Sequence, residues 1–99
     1  MSDAGPGQDF WKRADAVIHL ANEQRKDEGN HKVGASLLYA AARFNAFVAA
    51  SSAEDVEEMK TDRDEALEYF CTEFRKAMVE NLDDYIAHYD DYIEKFRRT

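Results

Sequence analysis

From Leu67 to the end of the chain, apolar side chains recur every three or four residues: Leu67, Phe70, Cys71, Phe74, Met78, Leu82, Tyr85, Tyr89, Tyr92 and Phe96. At about 100° per residue they all fall within one sector of a helix. The pattern predicts a long amphipathic helix over 61–97. Near the start, Phe10, Ala14, Val17 and Ala21 share one face, widened by Trp11 and Ile18 on one side and by Leu20 on the other. Lys12, Asp15, His19 and Glu23 point elsewhere. This predicts a first helix over 9–28, capped by Asp9 and stopped by Gly29 after the basic pair Arg25-Lys26.

A second helix is predicted over 31–51, behind Asn30 as N-cap. Val33, Leu37, Ala40, Phe44, Phe47 and Val48 make its bulky face, and Ala35, Ala42, Ala46 and Ala49 make the opposite, small one. A helix apolar on both sides should be covered on both sides, and alanine lets a neighbour approach closely. Residues 53–60 stay open between a turn and a continuation of the long helix. Ser51 with Glu54 fits a capping box, and Thr61 with Asp62 and Asp64 offers a second start. The Gly5-Pro6-Gly7 run makes 1–8 a flexible tail. No strand pattern, hairpin signal or internal repeat is read. The expected fold is all-α, a single domain over 9–99 with two shorter helices and one long C-terminal helix.

The lengths do not match. A helix over 62–98 would run roughly 55 Å, whereas the first two would reach only about 30 Å. Leu82, Tyr85, Ile86, Tyr89, Tyr92, Ile93 and Phe96 carry the apolar stripe past any cover the short helices can offer. Each such side chain is worth roughly 1.5–3 kcal/mol when buried. The set therefore favours a partner even after the cost of association, and a second copy is the default. The expectation is a homodimer, intertwined or side by side, or a higher oligomer. The alternative is a kink near Asn81 that folds the tail back on its own chain.

Charge narrows the function classes. The formal net charge is −8, with six acidic and six basic residues in 1–50 and fifteen against seven in 51–99. An acidic half argues against nucleic acid and anionic membranes, while a basic protein partner is allowed. The one cysteine, Cys71, excludes an internal disulfide and is expected to be buried as a small hydrophobe. The N-terminus lacks the apolar core of a signal peptide, and no run approaches the roughly 18 apolar residues of a membrane span. A cytoplasmic location without membrane contact is expected.

The candidate chemistry is sparse. Asp84, His88 and Asp91 stand at i, i+4 and i+7, where one helix face can present them to a metal. A solvated acidic edge is the competing reading. Arg43, the one charge between Val33 and Ala53, is expected to form an ion pair with an acid of the first or third helix, or to bind an anion. Asn22 and Asn45 either bond between helices or lie exposed. His19 and Glu23 form an exposed pair, and His31 is at the surface. No phosphate loop or nucleophile triad is found, so no cofactor and no enzymatic activity are expected.

Three blocks carry a resemblance: Phe10-Trp11-Lys12-Arg13-Ala14-Asp15-Ala16, Leu20-Ala21-Asn22-Glu23-Gln24 and Ala40-Ala41-Ala42-Arg43-Phe44-Asn45-Ala46-Phe47. Over roughly 9–96 the chain resembles a small, uncharacterised bacterial helical family, a domain of unknown function. The resemblance implies a bacterial, cytoplasmic, helical protein and carries over no catalytic residue. The function expected is a non-enzymatic, self-associating interaction or scaffold module. The alternatives are a metal- or ligand-binding bundle using Asp84, His88 and Asp91, and an acidic mimic of DNA.

Overall fold

The computed structural model describes residues 7–98. Most of the tail expected over 1–8 therefore lies outside the described residues. Four helices follow one another: α1 Gln8–Arg25, α2 Asn30–Ser52, α3 Val56–Ala87 and α4 Tyr89–Arg98. The described residues contain no strand. The all-helical class holds, with four helices where the pattern predicted three.

The ends differ from prediction for local reasons. α1 starts one residue before Asp9, so Gly7 stands at the N-cap without a side-chain bond and Asp9 moves into the first turn. There its charge still meets the positive helix end. The turn at 26–29 begins with the Lys26 and Asp27 amides bonded back to Glu23 and Gln24. α2 runs through Ser51 and Ser52 without a break. The box that starts α3 lies further on. Asp55 is the N-cap and accepts the Glu58 amide at 2.9 Å, and the Glu58 carboxylate accepts the amide of Glu54. Asp55 wins over Ser51 because Ala53 N–H bonds Ala50 at 3.3 Å, which leaves Ser51 inside the helix. Such a cap is worth about 1 kcal/mol. The long helix thus begins at Val56 and takes in most of the segment left open over 53–60.

At its far end the long helix is divided. It stops at Ala87, and His88 (φ −124°, ψ 32°) stands between it and α4. The kink considered near Asn81 is absent. Asn81 donates to its own helix at Ala77 O, 2.8 Å. The break has a charge logic: Asp90 and Asp91 sit in the first turn of α4, while Lys95 and Arg97 lie toward its end. Asp83–Tyr89 and Asp90–Phe96 are consecutive seven-residue units that both open Asp-Asp-Tyr-Ile. The sequence therefore does hold a short internal repeat, and the second unit restarts a helix.

The chain divides into two compact units, residues 1–48 and 49–99. In the first unit, Val33 on the first turns of α2 is 6% exposed; it is the one buried hydrophobic side chain among the described residues. Leu38, Tyr39, Phe44 and Phe47 are exposed, so the expectation that both faces of α2 are covered is not met within its own unit. In the second unit no residue of α3 is buried, and Cys71 is exposed rather than sheltered. Among the described residues the ion pairs given by the structure link residues at most four apart on exposed surface. Pairs of that kind contribute about 0–1 kcal/mol each, so they do not organise the fold.

Candidate functional site

The helical repeat places Leu67, Phe74, Met78, Leu82 and Tyr85 on one face of α3, and Tyr89, Tyr92 and Phe96 continue the series in α4. These eight side chains are exposed: Phe74 is 54% accessible, Met78 46% and neighbouring Ile86 74%. Phe70 and Ile93 are half-buried. The expected association set ran from Leu82 to Phe96. The exposed series is longer and begins at Leu67.

A polar knot spans the break. Asp84 is half-buried and accepts the Tyr92 hydroxyl on Oδ2 at 3.0 Å. His88 Nδ1 lies 3.2 Å from both Asp84 Oδ1 and the Asp84 carbonyl. The Tyr85 and Tyr92 rings meet edge to face at 4.8 Å, and the His88 ring lies 5.7 Å from that of Tyr92. Arg97 donates to the Tyr89 hydroxyl at 3.2 Å, with its guanidinium carbon 6.0 Å from that ring's centre. The Tyr92 contacts with Asp84 and Tyr85 link α4 to α3, and the Arg97–Tyr89 contact lies within α4.

The i, i+4 spacing of Asp84 and His88 does bring their side chains together. The third member is Tyr92, not Asp91. Among the described residues no three His, Cys, Asp or Glu side chains gather into a metal-holding group. Sequence spacing missed Tyr92 because Asp84 and Tyr92 are eight apart and meet only across the break.

The bond to Asp84 holds the Tyr92 phenol above its ordinary value of 10.0, with desolvation and the Asp84 charge acting in the same direction. The protonated phenol is the form the folded chain favours. Its contribution is present below pH 10.0 and is lost as pH rises through the raised folded value. Replacing Asp84 by Ala should bring the Tyr92 phenol back down toward its ordinary value, read from its ring resonances in an alkaline NMR titration. An unchanged titration would show that the bond does not hold the ring.

The other predicted residues stay local. Arg43 is exposed, and no ion pair joins it to an acid among the described residues. Nothing on the surface of its own helix offers an acid within reach, because α2 contains none. Asn45 donates to Ala41 O at 2.9 Å, and Asn22 accepts from Arg25 Nε at 3.2 Å, so both asparagines serve their own helices. His19 and Glu23 form the exposed pair expected, at 3.9 Å.

The family described as "Protein of unknown function (DUF3144)" matches residues 10–86. The chain belongs to this family. The DUF3144 match takes in α1, α2 and nearly all of α3, and it ends just before the break at His88. The chain is also similar to a solved structure, the NMR structure of the protein NB7890A from Shewanella sp. The two are 30% identical, with a TM-score of 0.73, over 93% of this chain and 98% of that one. No curated protein matches the chain. The DUF3144 family brings no named activity with it, so the function must be argued from the surface itself.

Proposed function

We propose that this chain is a non-enzymatic helical interaction module that works as a homodimer, joined through the apolar face of α3 and α4. The observation that carries the reading is the exposed stripe from Leu67 to Phe96. A surface patch of that length is beyond what a small monomer ordinarily leaves in water. A second copy offers the same stripe at the same concentration, which a two-fold contact requires. In such an assembly the acidic residues of 51–99 lie on the outer faces, where a basic protein can dock. A cytoplasmic location suits this role.

One feature of α2 bears on the membrane. By length and composition alone, Asn30–Ser52 is able to cross a bilayer. Counting only unbroken apolar runs overlooked this, because alanines carry the average past Gly34, Ser36, Arg43 and Asn45. Insertion energetics give no net drive into a bilayer. Val33, Leu37, Leu38, Phe44, Phe47 and Val48 together gain about 3 kcal/mol in hydrocarbon, and Arg43 near the middle costs about as much. Alanine contributes little either way, so α2 is better served by a protein neighbour.

The reading predicts concentration-dependent stability. For a dimer that unfolds to two free chains, a hundredfold rise in protein concentration favours the assembly by about 2.7 kcal/mol. With an unfolding entropy near 2.1 cal/mol/K per residue over two chains, the thermal midpoint should rise by about 6 °C. Circular dichroism melts across that range check it. A midpoint that does not move would identify a monomer.

A further inference from the structure

We infer that the break at His88 is a clasped hinge: the Asp84–Tyr92 contact holds α4 turned against α3, and its release lets α3 and α4 merge into one continuous helix. The inference concerns a single chain and holds whether or not two copies associate. The first ground is geometry. In an unbroken helix Tyr85 and Tyr92 would stand about 10.5 Å apart along the axis. Their rings would keep that separation, because helical side chains all lean toward the N-terminus. The ring centres lie 4.8 Å apart instead. Beside them the Tyr92 hydroxyl reaches Asp84 Oδ2 at 3.0 Å. The ring contact therefore exists only while the chain turns at His88.

The second ground is that the backbone does not itself require the turn. No Gly or Pro lies between Asp83 and Phe96. A kink without them has another recognised cause, a side chain that intrudes on the backbone ladder. The His88 ring does this: its Nδ1 lies 3.2 Å from the Asp84 carbonyl, which also accepts the His88 amide at 3.0 Å. Tyr92 N–H in turn bonds the His88 carbonyl at 3.1 Å, so bonds of helical spacing flank the break on both sides. The His88 torsions, φ −124° and ψ 32°, depart from the helical values of about −63° and −42°. Restoring them would pair the first amides of α4 with the last carbonyls of α3, which a break leaves without helical partners. The turned form gives up those backbone bonds for the side-chain clasp. Turned, the apolar stripe runs along two axes, Leu67 to Tyr85 and Tyr89 to Phe96. Straight, it is one line, since Tyr85, Tyr89, Tyr92 and Phe96 keep helical spacing across the break. The clasp thus sets which apolar face a partner meets.

Pulsed electron paramagnetic resonance on the full chain tests the hinge. Nitroxides are attached through Glu80→Cys and Lys95→Cys, with Cys71→Ser to remove the native thiol. Both positions are exposed and flank the break, one helical turn from Asp84 and from Tyr92 on the sides away from it. Dilution with unlabelled chains makes the reading intramolecular, so a monomer and a dimer answer alike. A straight helix would set the two positions about 22 Å apart. The clasped chain should give one shorter distance. Asp84→Ala and Tyr92→Phe should each lengthen it to about 22 Å. In the same two variants without labels, the His88 Cα resonance should move to its helical position. A distance of about 22 Å before either change overturns the inference. So does a short distance that survives both changes. A broad spread of distances with His88 still non-helical also overturns it, because α4 would then detach rather than join α3. Sedimentation reads the homodimer separately, and its failure leaves the hinge standing.

Discussion

Replacing Met78 by Glu should convert the proposed dimer to single chains at micromolar concentration. Met78 lies at the middle of the exposed stripe and is unbranched and adaptable, so it fills a contact without a polar partner. A two-fold contact takes every substitution twice. Two carboxylates would enter an apolar seam with no cation opposite them, and each uncompensated charge costs several kcal/mol. A total of at least about 4 kcal/mol weakens the dissociation constant by about a thousandfold. Sedimentation and helicity should fall together, because a chain with one buried hydrophobic side chain among its described residues has little to hold its helices once alone. The volume-matched change Met78→Leu should alter stability by less than about 1.5 kcal/mol. If both variants sediment like the native chain, the stripe is not the contact.

The second large effect is expected in the first unit. Val33 is the buried hydrophobe there, at 6% exposure. Val33→Asp places a charge at a buried position, and the adjacent Lys32 already pairs with Glu28 at 3.5 Å. The loss should be at least about 2 kcal/mol, a large part of the roughly 5 kcal/mol at the low end for a chain of this length. Val33→Thr keeps the shape and should lose less. Amide hydrogen exchange of α1 and the start of α2 reads the effect directly. Protection that survives Val33→Asp would show that the unit is held by something other than this side chain.

The stripe from Leu67 to Phe96 was legible because a period of 3.6 held for about eight turns is hard to produce by chance. The helices themselves were legible for the same reason, and α2 lies within a residue of its predicted bounds. The break at His88 was not, because the apolar phase runs on across it: Tyr85, Tyr89 and Tyr92 keep their spacing whether the helix is whole or divided. The signal that could have found it was the repeated Asp-Asp-Tyr-Ile, with acids where a new helix start favours them. Cys71 was misplaced by an assumption rather than by its position. It does lie in the stripe, but burial was assigned as though the chain covered its own apolar face. The capping box was recognised by type and misplaced by four residues, since Ser51-x-x-Glu54 and Asp55-x-x-Glu58 are equivalent in sequence and only the path of the backbone after Ala50 separates them.

At the site, the Asp84–His88 pairing followed from helical spacing alone. Tyr92 did not, because its bond to Asp84 depends on the direction α4 takes after the break. With that bond in place the three residues describe a clasp for the tyrosine ladder. The surface they hold in order is apolar, which fits recognition of another helix better than chemistry on a small molecule.

Sedimentation equilibrium of the native chain across the micromolar range tests the central claim most directly. The account predicts a single species of twice 11.4 kDa. A species of 11.4 kDa at every concentration would contradict it.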